Sequence, residues 1–160
     1  MNEFLQRAVA RHQEGNLEEA ERLYRDALNA DQDHADAKAL LALVLGARNR
    51  HEEAINYVRQ AVGQDPSSSL LHFHCGTVLM NAGKLADAMI SFQRAIKLKP
   101  DFVLAMYNLA NAQRAAGGWT GAIESYQAAI RMKPDYAEAY NNLALCYVHE
   151  RNFDEALRHA

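Results

Sequence analysis

Bulky and small apolar positions return along the chain with a fixed step. Ala20, Ala54, Ala88, Ala122 and Ala156 form one column, and Ala27, Ala61, Ala95 and Ala129 form a second. Between them stand Tyr24, Val58, Phe92 and Tyr126, and just after them Leu28, Val62, Ile96 and Ile130. Counted from the first alanine the offsets are 0, 4, 7 and 8, one face of a helix with 3.6 residues per turn. Each unit therefore holds an amphipathic second helix. A first helix precedes it, clearest in VLAMYNLANAQRAAG and AEAYNNLALCYVHE.

The punctuation keeps the same period. Pro66, Pro100 and Pro134 are 34 residues apart, and so are the grid positions of Gly15, Gly83 and Gly117. Glycine just past a helix end supplies a left-handed cap without steric cost. Asn49 is a tolerable substitute at that place, whereas Arg151 fits less well and is expected to weaken the last turn. Asp33, Asp101 and Asp135 stand where a carboxylate can cap a helix start, and Asp135 with Glu138 reads as a capping-box pair. Helix pairs are predicted to begin near residues 1, 35, 69, 103 and 137.

A helix-turn-helix of 34 residues with small side chains at its eighth and twentieth places resembles the tetratricopeptide repeat (TPR). The eighth place holds Ala8, Ala42, Gly76, Ala110 and Ala144, and the twentieth holds the Ala20 column. The match covers essentially the whole chain, and its departures fall in the first repeat, at Arg7, Arg11 and Gln32. The resemblance implies an all-α fold, a right-handed α-solenoid in one domain over 1–160, with repeats 1–34, 35–68, 69–102, 103–136 and a partial 137–160. Small residues let helices approach closely, so the bulky columns are read as core and not as ligand contacts. Leu143, Tyr147, Phe153 and Leu157 are expected to form an open apolar end. That end suggests either a piece of a longer repeat protein or self-association into a homo-oligomer.

In repeats of this family the first helix of each pair lines a concave groove. The groove places here read Leu5, Gln6, Val9 and His12, then Ala39, Leu40, Leu43 and Gly46, mostly aliphatic. Later repeats offer aromatic and amide groups: Phe73, His74, Thr77 and Met80; Tyr107, Asn108, Asn111 and Arg114; Asn141, Asn142, Leu145 and Val148. The expected peptide-binding set is therefore Phe73, His74, Thr77, Tyr107, Asn108, Asn111, Arg114, Asn141 and Asn142. Asn108 and Asn142 occupy the same place one repeat apart, and an amide can bond the N–H and C=O of an extended peptide whatever its side chains. This pair resembles the asparagine ladder of O-linked N-acetylglucosamine transferases, although His74, Leu40 and Gln6 interrupt the row. A solvated helix face would read the same way. Arg114 can pair with a ligand carboxylate or stay a solvated charge. The carboxylate clamp that grips chaperone tails is missing, because its places hold Leu5, Val9, Leu40, Leu70 and His74 in one register and Ala39, Leu43, His74, Leu104 and Asn108 in the next.

Composition narrows the classes further. With 160 residues, 49% hydrophobic content and a formal charge of −3 without long like-charge runs, the chain favours neither nucleic acid nor an anionic membrane as a partner. Cys75 and Cys146 lie far apart within apolar stretches, as reduced core thiols do, and no secretory leader or membrane-spanning run is evident. A cytoplasmic protein is expected. His72, His74 and Cys75 are the one cluster with ligand-type side chains; His74 points away from the other two, so core packing is the better reading and no metal or cofactor is expected. Glu18, Glu19, Glu52 and Glu53 are read as solvated first-turn carboxylates, and Trp119 as a hairpin staple. No nucleophile has a base within helical reach, and no phosphate loop occurs, so no enzyme active site is expected within these residues. The functional expectation is a scaffold holding a peptide or protein in its groove. The alternatives are the substrate-recruiting arm of a larger enzyme, such as an O-linked N-acetylglucosamine-type glycosyltransferase, and a self-assembling module.

Overall fold

A computed structural model describes residues 3–159 of the chain. Among the described residues there are ten α-helices and no strands. They are α1 Glu3–Gln13, α2 Leu17–Ala30, α3 Ala35–Ala47, α4 His51–Gln64, α5 Ser69–Asn81, α6 Leu85–Leu98, α7 Val103–Ala115, α8 Trp119–Met132, α9 Ala137–His149 and α10 Phe153–His159. First helices from α3 onward begin at 35, 69, 103 and 137, as the repeat predicts. The turns inside the hairpins follow too: Gly15, Gly83 and Gly117 take φ of 77°, 73° and 81°, and the two substitutes, Asn49 and Arg151, are held at 61° and 58°.

The helix starts depart from expectation. His34 and Ser68 cap α3 and α5 through Nδ1 and Oγ, which accept from the amides of Ala37 and Leu71. At α7 and α9 the cap positions are Phe102 and Tyr136, without any side-chain cap bond. Tyr136 is drawn into the core instead. Asp101 and Asp135 therefore act through backbone carbonyls, which accept from Val103 and Ala137 at 2.9 and 3.0 Å. The Asp135–Glu138 capping box is not formed.

The chain divides into two compact units, Met1–Lys84 and Leu85–Ala160. In unit 1, consecutive helices α1 to α5 pack on one another, and Ala20, Tyr24, Ala42, Ala54, Val58 and Ala61 are fully buried. Its surface carries an ionic network. Glu21, on α2, is only 7% exposed and accepts from Arg25 Nε at 3.0 Å, Arg48 at 2.5 Å and Arg50 at 2.6 Å. Glu53 accepts from Arg25 at 2.6 Å and from Arg50. Glu53 is thus not the solvated carboxylate its first-turn place suggests; arginines from α2 and the α3–α4 turn converge on it. Burial alone would push Glu21 up, but hydrogen bonds from Arg25 and Arg50 outweigh it and hold the carboxyl below its ordinary range. For Glu53 the Arg25 bond is the leading cause of the same downward shift.

Unit 2 is built around Tyr126, Leu143 and Cys146, with Ala110, Ala122, Ala129 and Ala139 as the small residues that let α7, α8 and α9 close on them. Leu143 was expected at an open end; its side chain faces back into this core instead. Tyr147 packs partly against the same cluster. The exposed apolar end consists of Leu145, Val148, Phe153 and Leu157, the last 79% exposed, around a recess of about 560 Å³. Trp119 packs against the unit 2 core and stacks on His149 with ring centroids 3.7 Å apart, so it also joins α8 to α9.

Candidate functional site

Helix α7 turns Tyr107, Asn108, Asn111 and Arg114 toward one side, because steps of one, three and three residues stay on one helical face. The ring of Tyr107 lies between two others, with centroids 4.9 Å from Tyr136 and 5.8 Å from Tyr126. Its hydroxyl accepts from Asn142 Nδ2 at 2.9 Å. The same nitrogen reaches Asn111 Oδ1 at 3.3 Å, and the Tyr126 hydroxyl donates to that oxygen at 2.6 Å. Burial pushes both Tyr126 and Tyr136 up, so these phenols stay protonated.

This network makes the two equivalent asparagines unequal. Both Asn142 donors are directed at protein acceptors, which leaves its carbonyl oxygen open. Asn108, partly exposed, has no side-chain partner among the described residues, so its whole amide is available. Asn141, next to Asn142 on α9, is exposed and lines the apolar recess with Leu145 and Val148 instead. Arg114 sits at the far end of the face. Its charge and hydrogen bonding act on the Tyr126 phenol, yet its buried Nε has no acceptor.

Unit 1 presents a different surface. A recess of about 390 Å³ is lined by Leu5, Gln6, Val9, Leu40, Leu70 and His74, with Asp36 at its edge. The groove pattern indicates most of these residues; Asp36 and Leu70 fall outside it because each lies at the second place of its helix. His74 has a buried Nδ1 without a partner, and burial pushes its pKa down against the opposing Asp36 charge. Phe73 rests against the His74 ring at 5.8 Å, and Thr77 donates its hydroxyl to the Phe73 carbonyl at 3.0 Å. His72 Nε2 donates to the Pro66 carbonyl at 3.0 Å, while Cys75 is buried. Among the described residues no three His, Cys, Asp or Glu side chains are grouped so as to hold a metal, and no helix is long and apolar enough to cross a membrane.

Comparison with known proteins adds a family. Tetratricopeptide repeat models match residues 75–129 and 107–160, and a second such model matches 11–72. No curated protein matches the chain. Among solved structures, MamA is 24% identical over 99% of this chain and 91% of that chain, with a TM-score of 0.83. PilF of Pseudomonas aeruginosa is 23% identical over 98% and 71%, with a TM-score of 0.88. YrrB, described as a TPR protein with an unusual peptide-binding site, is 23% identical over 98% and 80%, with a TM-score of 0.74. At these identities the likeness assigns the fold class, an all-α solenoid of helical hairpins.

Proposed function

The chain belongs to the tetratricopeptide repeat family, and from that premise we propose that it is a protein-interaction scaffold that holds an extended peptide segment on the α7/α9 face of unit 2. One observation carries the reading: Asn108 has a partly exposed amide with no partner among the described residues, while one repeat further on Asn142 is fixed with its carbonyl oxygen open. A donor-acceptor group followed by an acceptor suits a peptide backbone, which offers N–H and C=O in alternation. Tyr107, Asn111 and Arg114 line the same contact, whereas Asn141 borders the apolar recess of Leu145 and Val148. Phe73, His74 and Thr77 offer a separate contact on unit 1, where the Thr77 hydroxyl has its proton committed.

The recruiting-arm alternative, an arm of an O-linked N-acetylglucosamine-type transferase, rests on two open amides and finds less support, since Asn142 has spent its donors. Self-association has its own observation in the exposed Leu145, Val148, Phe153 and Leu157. The buried thiols of Cys75 and Cys146 suit a reducing compartment such as the cytoplasm.

The test is a random 12-residue peptide library selected on the immobilised protein, followed by calorimetry of the best binders. Asn108→Ala is expected to weaken them about 3- to 10-fold, the worth of one or two hydrogen bonds. Unchanged affinity on a folded Asn108→Ala protein would remove this face from the account.

A further inference from the structure

We infer that Arg114 forms an anion subsite, so that the segment held on the α7/α9 face carries a carboxylate at one fixed position; this rests on the peptide-holding reading above. The case is a count of charges, donors and acceptors around one side chain. Arg114 has a buried Nε with no acceptor. Among the described residues no carboxylate lies within ion-pair distance of it.

The neighbouring groups cannot supply the missing charge. Tyr126 gives its proton to Asn111 Oδ1 and its oxygen takes a hydrogen bond from Arg114, but burial keeps the phenol neutral, so it supplies no charge. Asn111 Oδ1 also accepts from Asn142, which orients that amide and leaves its Nδ2 as an unused donor one turn before Arg114. The Tyr107 oxygen is likewise engaged by Asn142. Cys146 feels the Arg114 charge, but burial raises its pKa and keeps it a thiol, and Glu150 acts on Cys146 without pairing with Arg114. His149 is stacked on Trp119. The local surplus is therefore N–H donors and one full positive charge. A part-exposed guanidinium that no described carboxylate neutralises keeps its charge available to an incoming anion. Carboxylate is the peptide group that fits, since it accepts only and can take two parallel bonds from a guanidinium.

The arrangement differs from a clamp of lysines and arginines in successive repeats, because a single arginine supplies the charge and an asparagine one turn away supplies the second donor. The carboxylate can belong to an Asp or Glu side chain or to a peptide C-terminus, and the experiment separates them.

A synthetic random 12-residue peptide library with free C-termini is selected on wild type, Arg114→Met and Arg114→Glu. Wild type is expected to enrich Asp or Glu at one position, or else to bind through the free C-terminus that every member carries. Replacing that acid by its amide, or amidating the terminus, should weaken binding to wild type by about tenfold or more, and hardly alter binding to Arg114→Met. Arg114→Glu should select Lys or Arg at the same position, which loss of structure alone would not produce. Arg114→Lys and circular dichroism control for folding, the lysine variant retaining the preference with lower affinity. Binders indifferent to amidation of every acidic side chain and of the C-terminus, or binders indifferent to Arg114→Met yet weakened by Asn108→Ala, overturn this inference alone. If no peptide binds wild type, the holding function falls and the subsite with it.

Discussion

Glu21 in unit 1 and Arg114 in unit 2 are both charged side chains drawn against the protein, and their surroundings are opposite. Three arginines converge on Glu21, and two of them reach on to Glu53. Among the described residues no carboxylate pairs with Arg114, whose neighbours are phenols, amides and a thiol. The repeat register allows a closer comparison. Three repeats after Glu21 stands Ile123, packed against the unit 2 core, and three repeats after Arg25 stands Gln127, which donates to the Tyr147 hydroxyl at 2.9 Å. One backbone plan thus accepts an ionic solution or an apolar and amide solution at the same places. The small-residue columns and the buried tyrosine place of Tyr24 and Tyr126 are common to both. Around Glu21 the charges satisfy each other, whereas around Arg114 the polar groups satisfy each other in part and leave a defined remainder.

Breaking the ionic solution should give the largest effect. Glu21→Ala leaves three arginines to re-solvate and is expected to lower stability by about 2 kcal/mol, less than for a fully buried pair because the arginines are partly exposed. Glu21→Ile imports the residue found at that place in unit 2 and should recover most of the loss; urea unfolding checks both. The pH dependence follows from the direction of the shifts. The native Glu21 and Glu53 carboxyls sit below their ordinary range, so the unfolded chain binds more protons as acid is added. Their contribution is full above the ordinary glutamate value of about 4.3 and is lost as pH falls through the depressed native values. Glu21→Ile should flatten the acid limb of the stability curve.

A smaller difference separates the two buried tyrosines at the same register place. Tyr126 donates to Asn111 at 2.6 Å, whereas the Tyr24 hydroxyl lies 3.4 Å from His12 Nδ1, although burial pushes Tyr24 up to about 12. Tyr126→Phe should therefore cost about 1 kcal/mol and Tyr24→Phe about half that or less, measured by thermal unfolding. The smallest effect concerns the turns. Arg151→Gly should relieve a left-handed arginine and stabilise by up to about 1 kcal/mol, while Asn49→Gly gains only a few tenths, because asparagine tolerates that conformation. Hydrogen exchange of the flanking turns would show the difference.

What was legible in the sequence is what the 34-residue period encodes locally. Helix starts at 35, 69, 103 and 137, the left-handed turns at Asn49 and Arg151, and the buried alanine columns all follow from spacing and side-chain size. The failures share a cause, since each depends on a partner distant in sequence or on competition for one side chain. Glu53 belongs to a network with Arg25, twenty-eight residues away. Tyr136 stands at a cap place, but its ring gains more in the core than a cap would supply. Leu143 faces inward because α8 already provides its pocket, and the added contact of Trp119 with His149 lies on the next hairpin. At the candidate site the sequence places Asn108 and Asn142 in register, yet it cannot show that Tyr107 and Asn111 take the Asn142 donors. Nor does it show that Arg114 lacks a counter-ion, which is a property of everything around it.

The central claim is that the α7/α9 face of unit 2 holds the partner while the ionic network of unit 1 is structural. Titrating a library-selected peptide into the ¹⁵N-labelled protein and following amide and side-chain NMR shifts tests it directly. The account predicts the largest changes at Asn108, Asn111, Arg114 and Asn142, with the Arg25, Arg48 and Arg50 signals unmoved. Shifts concentrated on α2 and α4, or on the Leu5, Leu40 and His74 recess with unit 2 silent, would contradict it.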